Sequence, residues 1–290
     1  MVSKEEFQNN LKNFWPEKAP NILNVQKYVN KYKNDKIVIK CGGKVLIDPI
    51  LFDNFIEDLV ILYKLGLNIV VVHGGGPRIK NELAKLNIES KFINGLRVTD
   101  GQTMQVVEKS LVEFNSEIIE KLKNKDCKAE GLNVGTNNVF IVEQENKELG
   151  FVGRPQSIIK EKIENIIKKK IIPIISPMGK DSLNQKYNIN ADTAASAVAK
   201  GIKARRLLLM TDVEGVYDQN KKVISEIKPE KAKNLIETGV VQGGMIPKLL
   251  NSIEAAENGV KGVVIIDGRK IHSILYEIFS DEGAGTLIRK

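Results

Sequence analysis

Two lysines that lie beside glycines are the side chains of this sequence with the clearest potential for chemistry. Lys40 ends the apolar segment 36–40 directly before Gly42–Gly43, and Lys248 follows the glycine-containing segment 243–247 at the predicted start of a helix. Glycine lets the backbone approach an anion closely and present consecutive N–H donors. A lysine in such a turn is typical of phosphate binding, although from position alone Lys40 could equally be a strand-end lysine that extends its ammonium group into water.

A second glycine turn, His73–Pro77, follows the apolar segment 68–72. The run 74–79 does not match the dinucleotide fingerprint G-x-G-x-x-G, and the phosphate-loop pattern G-x-x-x-x-G-K-[ST] does not occur in the chain. Either glycine turn alone could be a tight turn without a ligand. We expect His73 to shape this turn.

Polar residues also stand at two further element boundaries. Asn190 and Asp192 open an alanine-rich segment, where an N-cap role would explain one of them. The segment 211–218, with sequence TDVEGVYD, follows another apolar run. Both positions correspond to the ends of predicted elements, where ligands bind in open α/β folds.

The elements that would position these residues alternate between strand and helix, which predicts an α/β fold with a mostly parallel sheet. The predicted strands are 36–40, 68–72, 139–142, 171–175, 206–211 and 262–266, and the predicted helices are 49–65, 78–86, 103–124, 158–169, 191–200 and 247–258. Two helical pieces, interrupted by Pro16 and Pro20, precede the first strand, and His272 is assigned to a C-terminal helix. The segment 201–205 is the predicted hinge between two lobes.

Composition narrows the classes of function. The 290 residues include 44 Lys and Arg against 36 Asp and Glu, a formal charge of +8 that suits anionic ligands. Scattered lysines and only 6% aromatic residues argue against nucleic acid as the partner. We expect no membrane span and no secretory signal, hence a cytoplasmic protein, with Cys41 and Cys127 as reduced thiols.

Taken in order along the chain, these segments resemble the amino acid kinase family, and within it the members that phosphorylate N-acetyl-L-glutamate. The resemblance covers residue 36 to the C-terminus, and its most specific parts are the HGGGP and NGLRVT segments. The segments that carry it are Lys40–Gly43, His73–Pro77, Asn94–Thr99, Asn190–Asp192, Thr211–Asp218, Gly243–Lys248 and Gly283–Thr286.

The resemblance implies roles for individual residues. Lys40 and Lys248 match the two lysines that neutralise the transferred phosphoryl group, and Asp192 matches the carboxylate that holds both lysines. The implied acceptor-binding residues are Gly75, Gly76, Arg97 and Asn190. The implied ATP-binding residues are Gly42, Gly43, Thr211, Asp212, Gly215, Val216, Tyr217, Asp218, Gly243 and Met245. No metal ligand is implied, because Mg²⁺ would be held mainly by the phosphates of ATP.

The resemblance also implies a three-layer α-β-α sandwich in two lobes. Residues 1–30 would form an N-terminal helical arm, 31–203 an acceptor-binding and dimerising lobe, and 204–290 an ATP-binding lobe. The arm, with Phe7, Leu11 and Phe14 as its apolar stripe, is similar to the interlacing helix of hexameric, arginine-inhibited members. A hexamer built as a trimer of dimers is favoured over a dimer, with Glu277 and Gly283 as contacts for the inhibitor L-arginine.

The chemistry agrees with these roles. The γ-carboxylate of the acceptor has an ordinary pKa of about 4.3 and is already ionised at pH 7, so no general base is needed. Acceptors such as N-acetyl-aminoadipate, carbamate, aspartate or glutamate would use the same phosphate machinery. A non-catalytic sensor for ATP or an amino acid remains a further alternative. Lys44 departs from the family pattern and is predicted to point away from the phosphates.

Overall fold

The computed structural model describes residues 4–290, with side chains from residue 8 onward. Phe7, one member of the predicted apolar stripe, therefore lies outside the described side chains. The helices are α1 Lys4–Lys12, α2 Val25–Tyr32, α3 Pro49–Lys64, α4 Gly76–Lys85, α5 Gly101–Lys123, α6 Lys160–Lys168, α7 Ala191–Gly201, α8 Pro229–Glu237, α9 Met245–Glu257 and α10 Ser273–Phe279.

The strands are β1 Lys36–Cys41, β2 Asn68–His73, β3 Phe92–Ile93, β4 Leu96–Arg97, β5 Ala129–Leu132, β6 Phe140–Gln144, β7 Gly153–Ile158, β8 Ile172–Ile175, β9 Met178–Lys180, β10 Lys186–Asn188, β11 Arg206–Thr211, β12 Glu226–Ile227, β13 Val263–Asp267 and β14 Gly285–Ile288. Eight of them form one sheet in the order β12-β14-β13-β11-β1-β2-β8-β5. Only the β13–β14 pair in this sheet is antiparallel. The predicted mostly parallel central sheet is confirmed.

The central strands are apolar on both faces because helices cover both faces. In β1, Ile37 and Ile39 pack into the hydrophobic cluster that contains α3 and α10. Val38, between them, packs into the opposite cluster with α7 and α9. This alternation follows from the two-residue period of a strand, and it produces the three α-β-α layers expected from the sequence.

Alanines let α7 approach the sheet closely. Ala194, Ala195 and Ala199 are fully buried, and α7 packs against β1, β7 and α9. The Asn190 side chain caps this helix by accepting hydrogen bonds from the backbone N–H groups of Asp192 and Thr193. Close packing and the cap together fix Asp192 in the first turn of α7, beneath the carboxyl end of β1.

A smaller sheet of the order β10-β9-β6-β7 and the hairpin β3–β4 stand apart from the central sheet. The segment 139–142 was correctly predicted as a strand, but it belongs to this smaller sheet rather than to the central one. Among residues 4–290, no helix combines the length and the apolarity needed to cross a bilayer.

The arm consists of two helical pieces, α1 and α2, as the prolines predicted. Leu11 is buried, and the Trp15 ring packs edge-on against Phe279 at 5.6 Å between centroids. The assignment of His272 to a helix was wrong: it immediately precedes α10 in the left-handed region, with φ of 56°. Its Nδ1 lies 2.6 Å from Asp58 Oδ1 on α3, and both side chains are buried.

This pair predicts a pH-dependent contribution to stability. Burial raises the pKa of Asp58 to about 6. Burial opposes protonation of His272, but the hydrogen bond and charge of Asp58 raise its pKa above the ordinary value of 6.5. A raised histidine pKa stabilises the fold below pH 6.5, and this stabilisation is lost as the pH rises through the folded-state pKa.

We therefore expect Asp58→Asn to lower the free energy of unfolding by about 3 kcal/mol at pH 6.5 and by less at pH 9, because the positive charge of His272 that Asp58 stabilises is lost as the pH rises. Urea unfolding at the two pH values measures the difference. The exposed Asp53 on the same helix provides the matched control, Asp53→Asn. A cost of Asp58→Asn that is equal at both pH values would contradict this account.

Candidate active site

The carboxyl ends of β1, β2, β8 and β11 meet at one edge of the central sheet, and several of the residues predicted from the sequence lie there. A cleft of about 240 Å³ opens at this edge. The predicted residues Lys40, Gly42, Gly43, Gly75, Gly76, Arg97, Asn190 and Asp192 line it.

One carboxylate joins the two predicted lysines. Asp192 Oδ1 lies 2.9 Å from Lys40 Nζ, and Asp192 Oδ2 accepts a hydrogen bond from Lys248 Nζ at 2.6 Å. The three side chains are only 9–14% exposed. Residues that are 208 positions apart in sequence therefore meet at a single acid, because β1, α7 and α9 converge at this edge.

The electrostatics of this triad reflect burial and opposite charge. Burial alone would raise the pKa of Asp192, but attraction from Lys40 and Lys248 overrides it and holds the pKa well below its usual range. Burial lowers the pKa of Lys248, and the neighbouring charge of Lys40 lowers it further, although Asp192 opposes both effects. With both lysines protonated, the triad carries a formal charge of +1, which favours an anionic ligand beside it.

The first glycine turn fits tightly around Lys40 and Asp212. A Cβ atom at Gly42 would lie 2.2 Å from Lys40 Nζ. Gly43 has φ of +64°, and a Cβ there would lie 2.3 Å from Asp212 Oδ1. The same Asp212 oxygen accepts a hydrogen bond from the Lys44 backbone N–H at 2.8 Å, while the Lys44 side chain is exposed. At Gly42 and Gly43, any residue with a Cβ atom would therefore displace Lys40 or Asp212.

Arg97 enters the cleft from the hairpin β3–β4. Its guanidinium donates to Ser90 Oγ and, at 3.0 Å, to the Gly76 carbonyl oxygen. It also lies 4.7 Å from the Phe92 ring centroid, and burial lowers its pKa. Neither Ser90 nor Phe92 was identified from the sequence, although both flank the NGLRVT segment that was.

The two polar atoms of the Asn190 side chain have different roles, one in the helix cap and one at the cleft. Its Oδ1 is occupied as the cap of α7. Its Nδ2 donates to no protein acceptor within residues 4–290, and the residue lines the cleft. An amide N–H₂ group is thus available to a ligand carbonyl or carboxylate.

The predicted nucleotide segment 211–218 lies beside the cleft rather than in its lining. Val216 is buried and donates its backbone N–H to Thr286 Oγ1, and the Asp218 carboxylate accepts from the N–H groups of Asn220 and Lys222. Gly215 lies so close to Thr286 that a Cβ would be 2.5 Å from its hydroxyl oxygen. These contacts hold the loop in shape.

The remaining predicted nucleotide residues have different exposures. Tyr217 is 36% exposed. Thr211 is half-buried at the end of β11, Gly243 is exposed with φ of +58°, and Met245 begins α9. Within residues 4–290, no group of three or more acidic, histidine or cysteine side chains is arranged to hold a metal ion.

Glu277 and Gly283, the predicted arginine contacts, lie away from this cleft. They line a second pocket together with Tyr28 and Lys31 of α2 and with Arg206. Burial raises the pKa of Glu277. The pocket is closed on one side by the arm.

Comparisons with known proteins show which family the chain belongs to. The model of the amino acid kinase family matches residues 35–267. The acetylglutamate kinase of Pelagibacter ubique is 54% identical over 283 residues, which cover 98% of both chains. That of Clostridioides difficile is 43% identical over 94% of this chain and 98% of its own.

Solved structures show the same fold at lower identity. N-acetylglutamate synthase from Neisseria gonorrhoeae, in complex with coenzyme A and N-acetyl-glutamate, aligns with a TM-score of 0.84 at 20% identity, over 92% of this chain. This chain spans only 62% of the synthase. Carbamate kinase from Giardia lamblia bound to AMP-PNP aligns with a TM-score of 0.66 at 17% identity, over 88% of this chain and 98% of its own.

The family match covers most of the chain, and the relatives reach identities that require common descent along the whole length. The chain belongs to the amino acid kinase family and groups within it with the acetylglutamate kinases.

Proposed function

We propose that this protein transfers the γ-phosphoryl group of ATP to the γ-carboxylate of N-acetyl-L-glutamate, a step of arginine biosynthesis. The observation that carries the proposal is the buried Lys40–Asp192–Lys248 triad at the edge of a cleft that also contains Arg97 and Asn190. The full-length similarity to acetylglutamate kinases supports the same acceptor.

The reaction forms a bond from an acceptor carboxylate oxygen to the γ-phosphorus and breaks the bond from that phosphorus to the departing oxygen of ADP. Because the carboxylate is ionised at neutral pH, no proton has to be removed. Lys40 and Lys248 would stabilise the charge that spreads over the transferred group, and Asp192 would hold their ammonium groups in place. The nucleotide would bring Mg²⁺, held mainly by its phosphates, to neutralise part of their charge.

Arg97 and Asn190 would bind the acceptor. A guanidinium presents two parallel N–H donors, which suit a carboxylate better than the single ammonium of a lysine does. The free Nδ2 of Asn190 suits a carbonyl or carboxylate oxygen. An N-acylated acidic amino acid has a carboxylate for Arg97 and an acyl carbonyl for Asn190 besides the carboxylate that is phosphorylated. Carbamate has no such additional groups.

The lysines provide the most direct test of this mechanism. We expect Lys40→Ala to lower kcat by about 1000-fold, because one of the two ammonium groups that stabilise the transferred phosphoryl group is lost. Lys44→Ala, the matched control four residues along the chain, should stay within about threefold of the wild type, since that side chain is exposed. The measurement is coupled ADP release with N-acetylglutamate, N-acetyl-aminoadipate, carbamate and aspartate.

Equal losses in the two lysine variants would overturn the assignment of Lys40. ADP release that is absent with every acceptor would favour a non-catalytic sensor of ATP or an amino acid.

Gly42 tests whether the position of Lys40 matters as well as its charge. Gly42 is in the extended region, with φ of −160°, so alanine fits its backbone but would place a methyl group on Lys40 Nζ. We expect Gly42→Ala to reduce kcat by about 100-fold. Gly101→Ala, where an added Cβ would meet nothing within 4 Å, is the control. Turnover of Gly42→Ala within threefold of wild type would show that Lys40 need not be held where it lies.

We propose further that the second pocket binds L-arginine as a feedback inhibitor and that the protein is a hexamer. Lys31 and Arg206 could bind the ligand carboxylate, and Glu277 could bind its guanidinium. Deleting residues 1–25 would also remove Leu11 and Trp15 from the core, so a single substitution is a cleaner test. The oligomer is tested separately by analytical ultracentrifugation of the full chain, where a dimer would contradict the hexamer.

We expect Glu277→Gln to raise the arginine concentration for half-inhibition by at least 10-fold while the uninhibited kcat stays unchanged, because the guanidinium loses its anionic partner. Glu230→Gln, on the exposed start of α8, serves as the control. Inhibition curves of purified variants measure the effect. Unchanged inhibition in Glu277→Gln would exclude the pocket as the arginine site.

A further inference from the structure

A buried polar cluster lies directly behind the second glycine turn and has no part in the mechanism described so far. It consists of His73 at the end of β2, Asn115 on α5 and Ser176 after β8, all of them at most 2% exposed. His73 Nε2 lies 3.1 Å from both Asn115 Nδ2 and Ser176 Oγ. The Phe114 ring packs edge-on against the imidazole at 5.2 Å and restricts its rotation.

The contacts of this cluster determine which nitrogen of His73 carries the proton. Asn115 Nδ2 also donates to the Ile174 carbonyl oxygen at 2.9 Å, so this atom is the amide nitrogen, which can only donate. His73 Nε2 must therefore accept. His73 Nδ1 lies 3.1 Å from the Gly74 carbonyl oxygen, which can only accept, so Nδ1 carries the hydrogen. Burial lowers the pKa of His73 to about 4, which keeps the ring neutral.

This tautomer fixes the peptide unit between Gly74 and Gly75. The Gly74 carbonyl oxygen accepts from His73 Nδ1, while the Gly74 N–H donates to the Cys41 carbonyl oxygen at 2.8 Å. In a trans peptide the C=O and the next N–H point in opposite directions. Since the Gly74 carbonyl points inward to His73, the Gly75 N–H points outward to the cleft that Gly75 lines.

The Gly75 N–H is well placed to contact an anion. It donates to no acceptor within residues 4–290, and it stands immediately before α4, at the helix end where the first backbone N–H groups have no intrahelical partner. The Gly75 carbonyl oxygen accepts from Ile79 N–H at 2.8 Å, which ties the turn to the helix. A Cβ at Gly75 would lie 2.6 Å from a Leu111 methyl group, so the backbone itself forms the wall here.

We propose that His73 is a positioning residue whose Nδ1–H fixes the Gly74–Gly75 peptide so that the Gly75 N–H donates to the reacting carboxylate and the phosphoryl group that it attacks. The proposal rests on the proposed function, because it assigns a role within that same cleft. His73 itself does not touch the substrates. It acts through the direction of one backbone N–H group, which without this hydrogen bond could rotate away from the anion.

Three substitutions of His73 separate this role from simple packing. Asparagine places an amide N–H near the position of Nδ1, so it can still donate to the Gly74 carbonyl oxygen. Glutamine places its amide near Nε2, where it meets Asn115 and Ser176 but not Gly74. Leucine fills the space and donates to neither. Only the asparagine variant retains the hydrogen bond that the proposal requires.

We expect His73→Leu and His73→Gln to lower kcat/KM for the acceptor by about 30-fold or more, with the KM for ATP unchanged, because a misdirected donor costs transition-state binding. His73→Asn should recover to within about fivefold of wild type. Thermal unfolding confirms that each variant is folded. Activity of folded His73→Asn as low as that of His73→Leu would overturn the proposal. A rise in the KM for ATP in His73→Leu or His73→Gln as large as the loss in kcat/KM for the acceptor would also overturn it.

A spectroscopic readout tests the tautomer even if the acceptor has been misidentified. The chain has only two histidines, so ¹⁵N labelling of histidine gives two imidazoles, and His73→Asn identifies which signals belong to His73. We expect His73 to remain a neutral Nδ1–H tautomer from pH 5.5 to 8.5. An Nε2–H tautomer, or protonation within this range, would refute the proposal whatever the substrate, whereas inactivity of the wild type with every acceptor would refute the proposed function alone.

Discussion

The structure depends on one carboxylate, Asp192, that is shared by two buried ammonium groups. Removing three charged groups from water is costly, and mutual attraction offsets this cost only if the geometry is kept. Lys40 and Lys248 repel each other, so the acid between them is what holds both ammonium groups at the same edge of the sheet. The three side chains together keep a formal charge of +1. An anionic ligand would neutralise this charge, so the charge of the triad favours phosphate binding.

The fold supplies this geometry from three separate directions. Lys40 is held by the parallel ladders of β1 with β2 and β11, Asp192 by the capped first turn of α7, and Lys248 by the first turn of α9. The glycine turns then bring backbone close to the same point, where a side chain would collide with Lys40 or Asp212. Positions without side chains are as necessary to the cleft as the charged residues.

The sequence predicted five of the eight strands in the central sheet, β1, β2, β8, β11 and β13, because their signals are local. Apolar runs such as 36–40 and 206–211 can be recognised as buried parallel strands, and Gly66 correctly marked the end of α3. The elements that were missed are the strands β3, β4, β5, β7, β9, β10, β12 and β14 and the helix α8. These strands have two to six residues, and most contain polar residues or glycine, so they show no clear apolar run. His272 was misplaced because no local signal marked it as the left-handed residue directly before α10.

The sequence predicted which residues belong to the candidate site better than it predicted the contacts between them. The resemblance identified Lys40, Asp192 and Lys248 as a group, but no local signal places residues 208 positions apart at one acid. The resemblance assigned Asp212 to the nucleotide, and it did not indicate that the Asp212 carboxylate accepts a hydrogen bond from the Lys44 backbone N–H. Asn115 and Ser176 carried no signal at all, because a single polar residue on an otherwise apolar face is common in sequences.

The central claim is that Asp192 acts through the lysines and not on the reacting atoms, and a double-mutant cycle on kcat tests it most directly. Asp192→Asn would be introduced into the wild type and into a Lys40→Met/Lys248→Met background that lacks both ammonium groups, with single-turnover rates measured at saturating ATP and acceptor. If Asp192 works by holding the two lysines, the factor by which Asp192→Asn lowers the rate in that background will be at most about one tenth of the factor in the wild type. Losses that multiply independently would contradict the account.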